Sequence, residues 1–447
     1  MKIFLLHLSY LLLIPLASYT QSQHTNQVDP EPLFRFDFGQ EPTQSGYTKV
    51  SPETIYSPEQ GYGFLPGGAV EVVDRGGPDA LRRDFCTSTQ PFYFSVKVPE
   101  GNYHVRMILG DQKGESSFTV KTESRRLAVE EISTSVGYVT DWLFTVNVRN
   151  AAIPMTNRTV KLTSRETRHF NWDDQLTIEF SGKKPAICGL EIIPAPEVTT
   201  VYLVGNSTVT DQKNEPWASW GQMLPIFFEP ENVAIANHAE SGESLKRFQS
   251  ENRLEKIQST LKAGDYLFIQ FGHNDQKTES SAYVAPFTGY KEQLMVFIEA
   301  AREKGATPVL VTPVHRRTFD DQGKIINSHG DYPEAMRQVA KEAGVPLIDL
   351  HAMSQQLFEA LGPEGSKKAF VHFPAGSFPG QDGALADDSH FSTYGAMQLA
   401  LCIVQGIQDN HLALAADLKS HLPEYDPAKP TPLEKWNLPL SPYLPDK

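Results

Sequence analysis

From Leu33 to Pro194 apolar residues recur at every second position in short runs. "FRFDFG", "FYFSVKV", "YHVRMIL", "SSFTVKT", "WLFTVNV", "TVKLTS", "LTIEF" and "CGLEIIP" are parted by Gly, Pro, Asn and Asp. A period of two with turn residues at regular intervals predicts half-buried strands in an all-β sandwich or jelly roll over 33–194. "APEVTT", Ala195 to Thr200, reads as a linker. From Val201 the period changes. The apolar runs "VYLVG", "NVAIANHA", "DYLFIQFG", "TPVLVTP" and "VPLIDL" are each followed by a stretch with helical spacing. Helices are predicted at about Trp217–Phe228, Ser244–Leu261, Tyr290–Lys304, Tyr332–Glu342, Ala352–Leu361 and Thr393–Ile407. Strands alternating with helices predict an α/β domain over 201–425, its parallel sheet covered on both faces. The rest, 426–447, is a Pro-rich tail that reads as an extended strap or a disordered end.

Composition narrows the function. The chain has 447 residues, 21% charged and 40% hydrophobic, as a globular protein of two or three domains would. Its formal net charge of −14 argues against nucleic-acid binding, which needs a basic footprint. At the N-terminus, Lys2 precedes a short apolar run and then small or polar residues, so residues 1–20 read as a cleaved secretory signal. The run is short for a membrane span. The expectation is an exported protein, periplasmic or extracellular. There are three cysteines. Cys86 and Cys188 lie in strand-like segments and could pair in an oxidising compartment, while Cys402 reads as a buried thiol.

Parallel sheets bind ligands at the carboxyl ends of their strands, so candidate chemistry is sought there. The first strand ends in Gly205-Asn206-Ser207, where Asn206-Ser207-Thr208 also spells a glycosylation acceptor. After the second comes "NHAESGES" with Gly242, and after the third "GHND" with Asn274. "DDSHFSTYGA", with Asp387 and His390, precedes the last helix. A serine hydroxyl needs a base, which His390 can be, and the base needs an orienting acid, which Asp387 can be. The oxyanion formed on attack needs converging donors. The amides of Ser207 and Gly242 and the side chain of Asn274 come from three neighbouring strand ends. Alone, each is an ordinary cap or turn residue. Together, in this order, they are a constellation.

In this respect the second half resembles the SGNH hydrolases of the GDSL superfamily. Ser207, Gly242, Asn274 and His390 match the four signature residues, and Asp387 the aspartate of the D-x-x-H element; Asn206 departs from the usual Gly-Asp-Ser. "VGNSTVTD", "WGQML", "FGHNDQK", "VTPVHRR", "SHGDYPEAMR" and "DDSHFSTYGA" narrow the likeness to bacterial rhamnogalacturonan acetylesterases. "FDFG", "GYGF" and "GNYHV" give the first half a less specific likeness to galactose-binding-like β-domains. The resemblance implies a flavodoxin-like three-layer fold and O-deacetylation of an acetylated plant polysaccharide or oligosaccharide. It implies a Ser207-His390-Asp387 triad, an oxyanion hole of Ser207, Gly242 and Asn274, and no metal or organic cofactor.

Further substrate contacts are read from position alone. Trp217 offers a sugar-stacking face, with Trp220 packing the sheet instead. His315, Arg316 and Arg317 follow the fourth strand, where a cation could meet a galacturonate carboxylate. His273, within "FGHNDQK", reads as a neighbour of the site or a structural hydrogen bonder, and His329, within "SHGDY", comes just before a helix. In the β-domain, Tyr62, Phe64, Trp142 and Trp172 are candidate sugar platforms or core residues, and the domain reads as a wall of the cleft. Three rival functions stay open: an acetylxylan or other carbohydrate deacetylase, a lipase or thioesterase on the same scaffold, and a non-catalytic sugar binder.

Overall fold

A computed structural model describes residues 30–40 and 42–443. The signal reading on residues 1–20 lies outside the described residues, as do the last four residues of the tail. Residues 34–194 form a sandwich of a seven-stranded and a five-stranded sheet, the antiparallel pairs joined by one parallel pair at the start. The alternation in "FRFDF" turns Phe36 and Phe38 inward, where Phe94 meets them edge-on at 5.2 and 4.9 Å. Each such buried ring contributes roughly 1.5–3 kcal/mol. Phe64 belongs to this core and Tyr62 packs against it, so neither is a sugar platform. Trp172 is covered by the Arg149 guanidinium, 4.4 Å from its ring centre. Of the four aromatic candidates only Trp142 is exposed.

One question the sequence left open is answered here, and one predicted strand is not formed. Cys86 and Cys188 are both free thiols. They lie on adjacent strands, but the register pairs Cys86 with Ile187. The next residue, Cys188, therefore points to the opposite face of the sheet, and its sulfur faces the Gly110 carbonyl while that of Cys86 faces Val50. "TVKLTS" is not a strand. It crosses to the second domain, where the Lys161 amide donates to the Glu251 carbonyl at 3.0 Å.

The second domain is built on five parallel strands in the order Val233–Asn237, Thr199–Gly205, Tyr266–Gln270, Thr307–Val311, Leu347–Ile348. The first of its strands shows why such runs are apolar throughout. Val201 and Leu203 pack toward helix Thr393–Asp409, and Tyr202 and Val204 toward helices Lys291–Arg302 and Tyr332–Ala343. Two predicted helices are interrupted. Helix Trp220–Met223 passes into a 3-10 turn, Leu224–Phe227, because Pro225 has no amide to donate. The long helix over 244–261 is two, Leu245–Ser250 and Arg253–Thr260, separated at Asn252 with φ 63°. A hairpin of Phe370–Phe373 and Leu385–Phe391, unforeseen in the pattern, carries Asp387 and His390.

The domains share a polar, fully buried seam. The turn at Glu123–Arg126 projects from the sandwich beneath the segment that follows Ser207. Arg126 donates to Asp211 Oδ2 at 2.7 and 3.1 Å and to the Ile235 carbonyl at 3.2 Å. Arg125 donates to the carbonyls of Gln212 and Trp217. Arg253 of the α/β domain makes a bidentate pair with Glu166 of the sandwich, both fully buried. The tail is a strap: Trp436 Nε1 donates to Thr393 Oγ1, and Lys121 of the sandwich donates to Pro439 O and Ser441 Oγ.

Candidate active site

The loop bearing the candidate nucleophile is built by close approach. Strand Thr199–Gly205 ends at Gly205, where a Cβ would lie 2.6 Å from Val209 and 2.8 Å from the Gln270 carbonyl. Asn206 then folds the chain back. Its Oδ1 accepts from the Thr208 amide and hydroxyl, and its carbonyl from the amides of Val209 and Thr210. Asn206 is fully buried, so its glycosylation sequon is closed to a glycan in the folded chain. Ser207 alone in this turn is partly exposed.

Hydrogen bonds lace the neighbouring loops to this one. The Glu240 amide donates to the Gly205 carbonyl, and Thr210 Oγ1 to Ala239 O. Gly242 takes φ 86°, a conformation that favours glycine. Asp275, fully buried, accepts from the amides of Leu245 and Gly272 at 2.8 Å each. Burial pushes its carboxyl up to about 6 in spite of those bonds. Asn274, next to it, donates Nδ2 to Glu243 O at 2.9 Å. Among the described residues the amides of Ser207 and Gly242 donate to no protein acceptor. The three oxyanion candidates thus meet at one strand-end corner, two of them with uncommitted N–H groups.

The hairpin strand Leu385–Phe391 lies against the chain beyond the nucleophile, its Phe391 carbonyl accepting from the Ala218 amide at 2.8 Å. This brings His390 Nε2 to 2.9 Å from Ser207 Oγ and His390 Nδ1 to 2.7 Å from Asp387 Oδ2. Asp387 Oδ1 accepts from the amides of Ser389 and His390. Burial pushes the Asp387 carboxyl up, but the His390 hydrogen bond and charge, with those two amides, outweigh it and hold it well below the usual carboxylate range. An ionised carboxylate only accepts, so His390 Nδ1 carries a proton toward Asp387 and Nε2 is the ring nitrogen left to face the serine hydroxyl. A hydroxyl, a base and an orienting acid in line, beside free amides, can carry out acyl transfer.

The remaining candidates divide. Trp220 is buried and donates Nε1 to Gln270; Trp217 stays partly exposed. His315 and His329 lie in the interior and not on the cleft surface. His315 stacks on His351 with centroids 3.6 Å apart, and His329 Nε2 lies 2.9 Å from Val314 O. Burial pushes both down to about 3, so they are neutral. His273 is buried against His329 and held far below its ordinary value, by burial first and then by His329, Arg316 and His390. Arg317 is committed to Asp388, which also meets His372. Sequence reading missed Asp211 and Arg126. Asp211 stands in the first motif, but its partner is 85 positions earlier in another domain, and no local pattern reveals it.

Residues 203–395 match the GDSL-like Lipase/Acylhydrolase family, and residues 34–125 match the Beta-agarase/YXIM esterase-like, galactose-binding domain-like family. Rhamnogalacturonan acetylesterase RhgT of Bacillus subtilis is 44% identical over 50% of this chain and 93% of its own length. The probable rhamnogalacturonan acetylesterase YesY of the same organism is 37% identical over 49% of this chain and 96% of its own. The uncharacterized esterase YxiM, also from Bacillus subtilis, is 27% identical over 85% of this chain and 92% of its own. The chain belongs to the GDSL-like lipase/acylhydrolase family and is a carboxylic ester hydrolase with a galactose-binding-like domain ahead of it.

Proposed function

We propose that this chain is an exported serine esterase that removes O-acetyl groups from a pectic polysaccharide, rhamnogalacturonan foremost. The observation that carries the proposal is the file of Ser207 Oγ, His390 and Asp387 at 2.9 and 2.7 Å. The names of RhgT and YesY support the choice of polymer. Ser207 Oγ attacks the acetyl carbonyl as His390 Nε2 takes its proton. The oxygen, now negative, is met by the amides of Ser207 and Gly242 and by Asn274 Nδ2. Collapse breaks the bond to the sugar oxygen, which takes the proton from His390, and leaves Ser207 acetylated. Water, deprotonated by the same imidazole, attacks the acetyl-serine. Acetate departs and the proton returns to Ser207.

The test is acetate release from acetylated rhamnogalacturonan, homogalacturonan and xylan by the wild type and by Ser207→Ala. The variant is expected to fold and to lose on the order of 10⁴-fold or more in rate. Undiminished release by the purified variant would overturn the reading.

A further inference from the structure

Arg316 is a half-buried cation with no carboxylate of its own. Among the described residues its ion-pair partners number none, whereas its neighbour Arg317 is held by Asp388 at 2.8 Å. Its Nη1 reaches Ser328 O and Oγ at 3.3 and 3.4 Å, and its Nη2 reaches His273 O at 3.4 Å. Gln276, with its amide oxygen turned inward, accepts at 2.9 and 3.2 Å. All four acceptors are neutral, and the three from Ser328 and His273 are long. Burial lowers the guanidinium from its ordinary value, with no nearby carboxylate to offset it. Taking a charge partly out of water without a counter-ion is costly, and the cost falls when a bound anion supplies one.

The place of this cation matters as much as its state. It bonds the carbonyl of His273, the residue directly before Asn274, and it faces the His273 imidazole, which burial and then His329 and Arg316 hold far below its ordinary value. It therefore stands beside the corner where the oxyanion donors meet. Of the three residues in "HRR", His315 is stacked in the interior and Arg317 is paired, which leaves Arg316. Resting on the deacetylase reading above, we infer that Arg316 binds the carboxylate of a uronic acid residue in the acetylated substrate, and so selects an anionic polymer over a neutral one.

The experiment compares three substrates: an acetylated rhamnogalacturonan oligosaccharide, the same oligosaccharide with its carboxyls methyl-esterified, and an acetylated xylo-oligosaccharide. Wild type, Arg316→Gln and Arg316→Lys are assayed on each for acetate release, with melting temperatures as a control on folding. Arg316→Gln is expected to raise KM for the charged oligosaccharide about tenfold or more, with a smaller effect on kcat. Methyl esterification is expected to impose the same loss on the wild type and no further loss on the variant. Arg316→Lys restores part of the preference. Equal KM for charged and methyl-esterified substrate in the wild type, or a loss in Arg316→Gln that is the same on all three, overturns the inference. If Arg316→Gln does not fold, the wild-type comparison alone decides. Acetate release without a carboxylate preference sinks only this inference; no acetate release from any of the three sinks the deacetylase reading as well.

Discussion

Glu243 follows the glycine of the oxyanion corner, and its carboxyl has no contact with solvent. Arg247 Nε approaches it at 3.1 Å, yet neither carboxyl oxygen makes a well-directed hydrogen bond. Burial pushes the group up to about 8, against the pull of Arg253 and Arg247. The folded chain thus keeps a proton that the unfolded chain releases near the ordinary value of 4.5. Unfolding releases that proton anywhere between the two values, so stability falls as pH rises through this window. Glu243→Gln keeps the shape without the ionisation. Its melting temperature is expected to exceed that of the wild type at about pH 9, and the gap to narrow by about pH 5. An equal gap at both, or a lower melting temperature throughout, counts against this account. Asp387 works the other way: its depressed carboxyl stabilises the fold above the usual carboxylate range, and that contribution is lost as pH falls below it. Residue identity made the candidate triad legible, since Ser207 ends an apolar run and Asp387 and His390 stand three residues apart just before the last helix. It did not reveal the fates of His315 and His329, because a histidine in a motif reads alike whether it is stacked inside or faces a ligand.

At the scale of elements, helix Trp220–Met223 lies directly on the nucleophile loop. A Cβ on Gly221 would fall 2.2 Å from the Val209 carbonyl and 2.7 Å from Asn237 Nδ2. Asn237 Nδ2 in turn donates to Val209 O and Asp211 Oδ1, so the helix, the loop and the second strand share one contact. Gly221→Ala is expected to cost about 1–3 kcal/mol by displacing the helix, and to lower acetate release with it. Urea unfolding measures the first and the esterase assay the second; a variant unchanged in both would mean that the contact yields freely. The elements themselves were mostly legible. Period two marked the sandwich, and buried runs alternating with helices marked the parallel sheet. What was missed has local causes: Asn252 at positive φ and Pro225 interrupt helices that look continuous as hydrophobic patterns. The hairpin bearing His390 holds "LADDSHF", whose polar residues hide a strand.

At the scale of the molecule, the sandwich supports the loop that follows Ser207. In this chain Arg126 supplies the charge opposite buried Asp211, and Arg125 binds the carbonyls of Gln212 and Trp217. Gln212 Nε2 in turn donates to the Ser207 carbonyl at 2.9 Å. The network runs from the sandwich to the serine in two hydrogen-bonded steps, and none of it is visible in either half of the sequence alone. In the proposed function, Ser207 Oγ is the reacting atom. The direct measurement is to treat the folded wild-type chain with an organophosphorus ester, map the adduct by peptide mass, and follow acetate release in parallel. One adduct per chain on the peptide containing Ser207, formed in step with loss of acetate release and abolished by Ser207→Ala, is the predicted result. Labelling elsewhere, or full acetate release from a chain whose Ser207 is fully modified, would contradict it.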